Sequence, residues 1–385
     1  MGNKAIFQTK KLKYIANVLD QFRKPITADK RNQNADILYD YYGASGVIDK
    51  IDGYTIDDHV MLIGEDGANL RLRNLPLMYE VNGKAWINNH AHILKPKDGT
   101  DFYFLFYALE SIDINPYVTG SAQPKLNQEN LREIPVPFPP IAEQKRIADF
   151  LDEKCGEIDS IRSDVQREIE ILNDYKKSVI TETVTKGLNP KAKLKDSGIE
   201  WIGKIPEQWR TIKTGYCFSF SSGDTLTSED IEDEGDYIVY GANGIRGYYS
   251  FSNLSGKHIL IGRVGALCGN VHIVDGKVWV TEHALIARKK RVLDELFFGY
   301  IFSAMNLGQY SKASAQPVIS SETLASLKVP FPPLSEQKEI ANYLDDKCTE
   351  IDAVIADKQK QLETLDEYKK SLIFEYVTGK KEVVQ

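Results

Sequence analysis

The stretch FPPIAEQKRIADFLDEKCGEIDS runs from Phe138 to Ser160, and FPPLSEQKEIANYLDDKCTEIDA runs from Phe331 to Ala353. The likeness reaches past both ends. Val136–Thr185 set against Val329–Thr378 agrees at 29 of 50 positions, so the chain carries an internal duplication and not two chance helices. Upstream of each copy lie weaker echoes in the same order, at offsets of 193 to 198. YGASGVI (Tyr42–Ile48) answers YGANGIR (Tyr240–Arg246), and MLIGEDGA (Met61–Ala68) answers ILIGRVGA (Ile259–Ala266). NGKAWINNHA (Asn82–Ala91) answers DGKVWVTEHA (Asp275–Ala284), and SAQPKLN (Ser121–Asn127) answers SAQPVIS (Ser314–Ser320). The 385 residues therefore read as two tandem halves, each a variable region followed by a nearly fixed one. One part held fixed while the other keeps scattered landmarks implies a common scaffold with two different surfaces.

The fixed segments predict long amphipathic helices. Leu151, Ile158, Val165, Leu172 and Val179 recur every seven residues, with Ile147, Ile161 and Tyr175 as a second row. The second copy reads Leu344, Ile351, Lys358, Leu365 and Leu372, flanked by Val354, Ile355, Leu362 and Tyr368. PFPP precedes each run, and proline is tolerated only in a helix's first turn. About 40 residues at 1.5 Å each make a helix of roughly 60 Å, and the two copies are each other's obvious partners. An antiparallel pairing would place the two variable domains at opposite ends. The expected division is 1–140 and 186–333 for the domains (the latter with its linker), and 141–185 and 334–380 for the helical spacers.

The variable regions read as mixed and strand-rich. HILIGRVG, NVHIVDGKVWV and ALIARKK, within His258–Lys290, are short β-like runs, with a hairpin turn expected at Asp275-Gly276. Asp101–Ser111 and Leu293–Asn306 are apolar almost all round and predict helices buried against a sheet. The glycine-rich stretches YYGASGVIDK and YGANGIRGYY carry side chains suited to base edges and phosphates, among them Asn243, Arg246 and Tyr248. Arg263 interrupts an apolar strand pattern and needs a partner. Arg71 and Arg73 flank Leu72, so in a strand they would share a face.

Composition bounds the function. A net charge of −7 does not advertise a nucleic-acid binder, although DNA responds to the local face and not the sum. The four cysteines form no Cys-x-x-Cys pair and are expected to be buried thiols. No apolar run approaches the ~20 residues of a membrane span and no signal-peptide stretch opens the chain, so a cytoplasmic protein is expected. Catalytic motifs fail. INPY (Ile114–Tyr117) lacks the second proline of an adenine methyltransferase motif, and no phosphate-binding glycine loop is present. Glu143-Gln-Lys145 and Glu336-Gln-Lys338 fit a nuclease-like string but lie at helix starts. His90 and His92 alternate like metal ligands, yet only His90 is matched in the second half, by His283.

PFPPIAEQKRIADFLD and its twin, the EID after each, YKKS near each helix end and TKGLNP…KDSGIEWIGKIPEQW (Thr185–Trp209) resemble the specificity (S) subunit of type I restriction–modification enzymes. The resemblance covers essentially the whole chain, though the first half has no counterpart of WIGKIPEQW. It implies an α+β protein: two pseudo-symmetric α/β target-recognition domains separated by two long antiparallel helices forming a coiled-coil spacer. It also implies a chain that does no chemistry itself and binds no cofactor. Each domain would read one half of a split double-stranded DNA site. Two methyltransferase (M) subunits would dock on the helices and supply S-adenosylmethionine chemistry, and two restriction (R) subunits would add ATP- and Mg-dependent translocation and cleavage. The candidate DNA-binding residues are Ser45, Lys50, Arg71, Arg73, Gln123 and Lys125 in the first half and Asn243, Arg246, Tyr248, Arg263 and Gln316 in the second. The alternative is a DNA methyltransferase or nuclease with its own fused reader, against which the missing cofactor motifs argue. A coiled-coil scaffold that binds only proteins is the other.

Overall fold

The computed structural model describes residues 7–31, 35–311 and 317–383, and the chain divides into two compact units. One comprises the residues up to Gln166 together with those from Lys360 onward; the other runs from Arg167 to Gln359.

In the first, the chain order is β1 (Thr9–Lys11), α1 (Leu12–Ile15), β2 (Ala16–Val18), β3 (Tyr39–Gly43), β4 (Gly46–Ile51), β5 (Ile56–Gly64), α2 (Asn69–Leu72), β6 (Met78–Ile87), β7 (Ala91–Pro96), α3 (Phe102–Ser111), α4 (Gln128–Glu133), β8 (Pro135–Pro137) and the long α5 (Ile141–Lys186). Six strands form one sheet in the order β2-β7-β5-β6-β3-β4, with β3 parallel to β6 and the other pairs antiparallel. The apolar run in β5 is buried on both faces, as a continuous run in a covered strand should be. Met61 and Ile63 pack in one core cluster with Phe104, Leu105 and Ala108 of α3. Val60 and Leu62 pack in another with Val81 and Ile93.

The second unit repeats this plan with one break. Its elements are β9 (Leu194–Asp196), β10 (Lys204–Pro206), β11 (Arg210–Lys213), β12 (Phe218–Ser222), β13 (Tyr237–Gly241), β14 (Gly244–Tyr249), β15 (Leu254–Ser255), β16 (His258–Gly262), β17 (Val271–Val274), β18 (Lys277–Val280), β19 (Ala284–Lys289), α6 (Glu295–Ala304), α7 (Ser321–Ser326), β20 (Lys328–Phe331) and α8 (Leu334–Val377). Here two four-stranded sheets form, β12-β19-β16-β17 and β14-β13-β18-β15. The hairpin turn expected at Asp275-Gly276 does not form. β17 pairs with β16, whereas β18 pairs with β13 and β15. Gly276 (φ +100°) lies opposite Gly256 (φ +93°), whose amide donates to the Gly276 carbonyl at 2.9 Å. Two left-handed residues side by side turn the ribbon, and one strand passes from sheet to sheet. In the first unit Gly83 (φ +99°) holds the place of Gly276, but β6 continues through it.

α5 and α8 pair antiparallel. In the first unit Lys369 Nζ lies 2.7 Å from Asp159 and Arg162 Nε lies 2.6 Å from Asp366. In the second, Lys176 Nζ lies 2.7 Å from Asp352, and Lys358 pairs with Glu168. Asp352 and Lys369 stand 193 residues after Asp159 and Lys176, so the duplication makes the same ion pair twice. Lys358, at the seam position where Val165 sits in the first copy, is thereby satisfied. Leu151, Ile158, Val165, Leu344, Ile351 and Leu372 are buried, and Leu172, Val179 and Leu365 are half-buried. The second row differs from expectation. Ile147 is buried, but Ile161, Tyr175, Val354 and Tyr368 are exposed, and Ile169, Ile180, Val184 and Ile373 are buried in their stead. Among the described residues no helix is long and apolar enough to cross a membrane, and all four cysteines are free and buried.

Candidate nucleic-acid interface

The echoing glycine stretches form the same hairpin in both units. β3 and β4 turn at Ala44-Ser45, and β13 and β14 turn at Ala242-Asn243. Each hairpin carries one register shift at the same place, between Tyr41 and Tyr42 and between Val239 and Tyr240. Gly46 (φ +93°) and Gly244 (φ +99°) close the turns in a conformation other residues resist. A Cβ on Gly46 would meet the Tyr79 ring at 2.7 Å, and one on Gly244 the His272 ring at 3.0 Å. Tyr79 and His272 are repeat equivalents, so an aromatic ring braces each turn. Burial lowers the His272 pKa from its ordinary value, which favours the neutral ring.

Each turn also rests on the strand behind it. A Cβ on Gly64 would lie 2.8 Å from the Ala44 carbonyl oxygen, and one on Gly262 would lie 2.3 Å from that of Ala242. This backbone contact explains why YGA and LIG recur together. It also brings the residue after the glycine, Glu65 or Arg263, beside the hairpin.

The first unit gathers most of its candidates there. Ser45 is exposed at the turn, and Lys50 lies 3.2 Å from Asp40 across the hairpin. Lys125 Nζ lies 3.0 Å from Glu65, Gln123 is exposed on the same loop, and Arg71 donates to the Gly120 carbonyl at 3.1 Å. Arg73 stands apart. Arg71 and Arg73 do not flank Leu72 in a strand, because Asn69–Leu72 is a helical turn that Arg73 ends at φ +53°. The Asn69 side chain bonds Leu75 N at 2.8 Å and Pro76 O at 3.1 Å, which closes the chain on itself there. The Arg73 guanidinium is held on the Glu110 and Ile112 carbonyls.

In the second unit Asn243 Oδ1 accepts from Asn270 Nδ2 at 3.0 Å, and Arg246 reaches Ser228 Oγ at 3.4 Å. Tyr248 exchanges two backbone hydrogen bonds with Glu232, and Arg263 finds its partner in Ser222 Oγ at 2.8 Å. Gln316 lies outside the described residues.

A buried polar network that sequence reasoning missed stands behind the first hairpin. His92, 1% exposed, bonds Asp20 through Nδ1 at 2.7 Å and the Leu126 carbonyl through Nε2 at 2.8 Å. Arg23 joins Asp20 to Glu65. Burial alone would raise both carboxyls. The His92 contacts at Asp20, and Arg23 and Lys125 at Glu65, outweigh it and hold both below their ordinary values. The only signal for this was the unmatched His92, since Leu285 fills its place in the second half. His90 bonds Asp66 at 2.7 Å, so the two histidines serve separate carboxylates. Among the described residues no group of three His, Cys, Asp or Glu could hold a metal ion.

The sequence matches the family described as type I restriction modification DNA specificity domain over residues 6–170 and again over 206–364. It is 29% identical over 314 residues to the putative type I restriction enzyme MjaX specificity subunit of Methanocaldococcus jannaschii, covering 75% of this chain and 70% of that one. It is 36% identical over 135 residues to the type I restriction enzyme EcoprrI specificity subunit of Escherichia coli, covering 34% of each. A solved structure described as "Structural basis underlying complex assembly and conformational transition of the type I R-M system" shares the fold, with a TM-score of 0.70 at 14% identity over 99% of this chain and 100% of that one. The chain belongs to the type I restriction–modification specificity subunits, as the non-catalytic DNA specificity component with two target recognition domains.

Proposed function

We propose that each recognition domain reads one half of a bipartite double-stranded DNA site, and that the paired helices set the gap and dock two methyltransferase subunits. The observation that carries this reading is the hairpin built twice on one backbone plan with different exposed residues at its tip. A common frame with unlike tips is what two half-sites of different sequence require. Ser45, Lys50, Arg71, Gln123 and Lys125 serve the first half-site, and Asn243, Arg246, Tyr248, Arg263 and Gln316 the second. Arg73 acts from behind by holding the turn that presents Arg71. The half-sites lie about one helical turn (~34 Å) or slightly more apart on one face of the duplex. S-adenosylmethionine, and the ATP and Mg of any restriction subunits, belong to the partners. Leu151, Ile158, Val165, Leu172 and Val179, with Leu344, Ile351, Leu365 and Leu372, keep the docking platform in register.

The test exchanges residues 1–140 for those of another reader and maps methylated adenines in cells that also carry the methyltransferase. One half-site changes and the other stays. A change in both would overturn the modular reading, and methyl transfer by the purified chain alone would overturn the division of labour.

A further inference from the structure

The recognition hairpins carry exposed aliphatic side chains where a solvated hairpin would carry polar ones. Val47 is 49% exposed, Ile48 53% and Ile245 61%. β4 is bulged at this point, with Val47 and the extra residue Ile48 together opposite Tyr42, so the two side chains are not related by simple alternation. Both being exposed means that two adjacent aliphatic side chains stand bare just past the turn. β4 and β14 are also the outermost strands of their sheets. Glu232 pairs with the edge of β14 at Tyr248, so the bare aliphatic residues lie next to the turn, where an outermost strand invites unwanted pairing unless something covers it in use. The turn beneath is braced by Tyr79 and Gly64, so the ribbon is presented in one conformation.

A two-stranded β-ribbon is one of the two elements that the DNA major groove admits. The one apolar group on a base-pair edge there is the thymine 5-methyl. We infer that the first hairpin reads thymine through Val47 or Ile48, a contact of methyl on methyl that fixes at least one T in the first half-site. The second hairpin keeps Ile245 at the position of Val47 but has Arg246 at that of Ile48. It therefore combines one methyl contact with a guanidinium suited to guanine. The two tips differ in the chemistry of one position, which suffices to make the half-sites unlike. The inference rests on the half-site reading above.

The test uses the complex with its methyltransferase subunits and a duplex bearing its mapped site. Each thymine is replaced singly by deoxyuridine, which lacks only the methyl. At least one replacement in the first half-site weakens binding about fourfold, the worth of one buried methyl group. At least one of the variants Val47→Asn and Ile48→Asn, which carry no methyl group, removes that sensitivity. Unchanged sensitivity in the second half-site of the same molecule shows that the variant is folded. If the Asn variant loses that control, Val47→Ser and Ile48→Ser are scored in the same way. A first half-site without thymine, no sensitive thymine, or sensitivity that survives all four variants overturns the inference. The half-site reading is judged separately, since it fails only if the complex ignores one or both halves of the mapped site.

Discussion

Gln144 Oε1 accepts the backbone amide of Asp101 at 2.9 Å, and Gln337 Oε1 accepts that of Asp294 at 3.0 Å. Both glutamines are buried, and their Nε2 groups donate to the Pro139 and Pro332 carbonyls at 2.8 and 2.9 Å. Asp101 and Asp294 in turn cap α3 and α6. The glutamine of the doubled motif thus fastens the first turn of each long helix to the domain helix packed on it. Gln144→Ala should strand the Asp101 amide and the Pro139 carbonyl, at a cost of about 1–3 kcal/mol to the first unit. Urea unfolding checks the cost. Hydrogen exchange should show α3 loosened and α6 unchanged, and equal loosening of both would contradict a local joint.

The Trp209 ring is fully buried beside Gly187, and its Nε1 donates to Glu336 Oε2 at 2.8 Å. In the first unit Phe7 lies against Gly379 in the same manner and cannot donate. Its counterpart of Glu336, Glu143, pairs instead with Arg146 at 2.7 Å. Trp209→Phe, which installs the first unit's residue in the second, should cost about 1.5 kcal/mol through the lost charge-assisted bond. Trp209→Ala should cost about 3–5 kcal/mol through the cavity. Denaturant titrations of both variants give the comparison, and a Trp209→Phe variant as stable as the parent would mean that the bond contributes nothing.

Much of this was legible before the fold was seen, because a duplication reports itself. The helix starts after PFPP and the pairing of α5 with α8 followed from proline chemistry and heptad spacing. What stayed hidden depends on remote partners. Asp275-Gly276 has the local chemistry of a hairpin turn, and only Gly256, twenty residues earlier, makes it a passage between sheets. Arg71-Leu72-Arg73 reads as a strand until Asn69 is seen bonded to Leu75 and Pro76. Spacing marks Ile161 and Tyr175 as apolar positions on one side of a helix but cannot say that they stay exposed. The candidate site was visible as glycine turns. The braces beneath, Tyr79 and His272, were not, because nothing local links them to Gly46 and Gly244.

The contact of Ala242 on Gly262 is closer than that of Ala44 on Gly64. Both involve a backbone oxygen, which cannot swing aside as a side chain can. Gly262→Ala should therefore cost about 1–3 kcal/mol and weaken reading of the second half-site alone. Gly64→Ala should do the same to the first half-site, more mildly. Gly156→Ala, on α5 with nothing within 4 Å of the new methyl, should stabilise by about 1 kcal/mol. Thermal melts and half-site binding assays on the three variants check the order.

Acid should unfold the first unit before the second. Asp20 and Glu65 have folded pKa values below their ordinary 3.8 and 4.5. A depressed carboxyl contributes stability that is full above its unfolded pKa and is lost as pH falls through the folded one. The loss therefore begins near pH 4.5 and deepens below 3.8. Glu110 acts with the opposite sign. Burial raises its pKa despite the Met78 and Leu77 amides and Arg73, so stability declines as pH rises from 4.5 through its folded value. Asp20→Asn should flatten the acid limb, and Glu110→Gln should raise stability at neutral pH. Leu285 in place of His92 leaves the second unit without this network. Hydrogen exchange of β7 against β19 between pH 3 and 6 separates the two, and simultaneous loss of protection, or an Asp20→Asn acid limb like that of the parent, would show that the network does not govern acid stability.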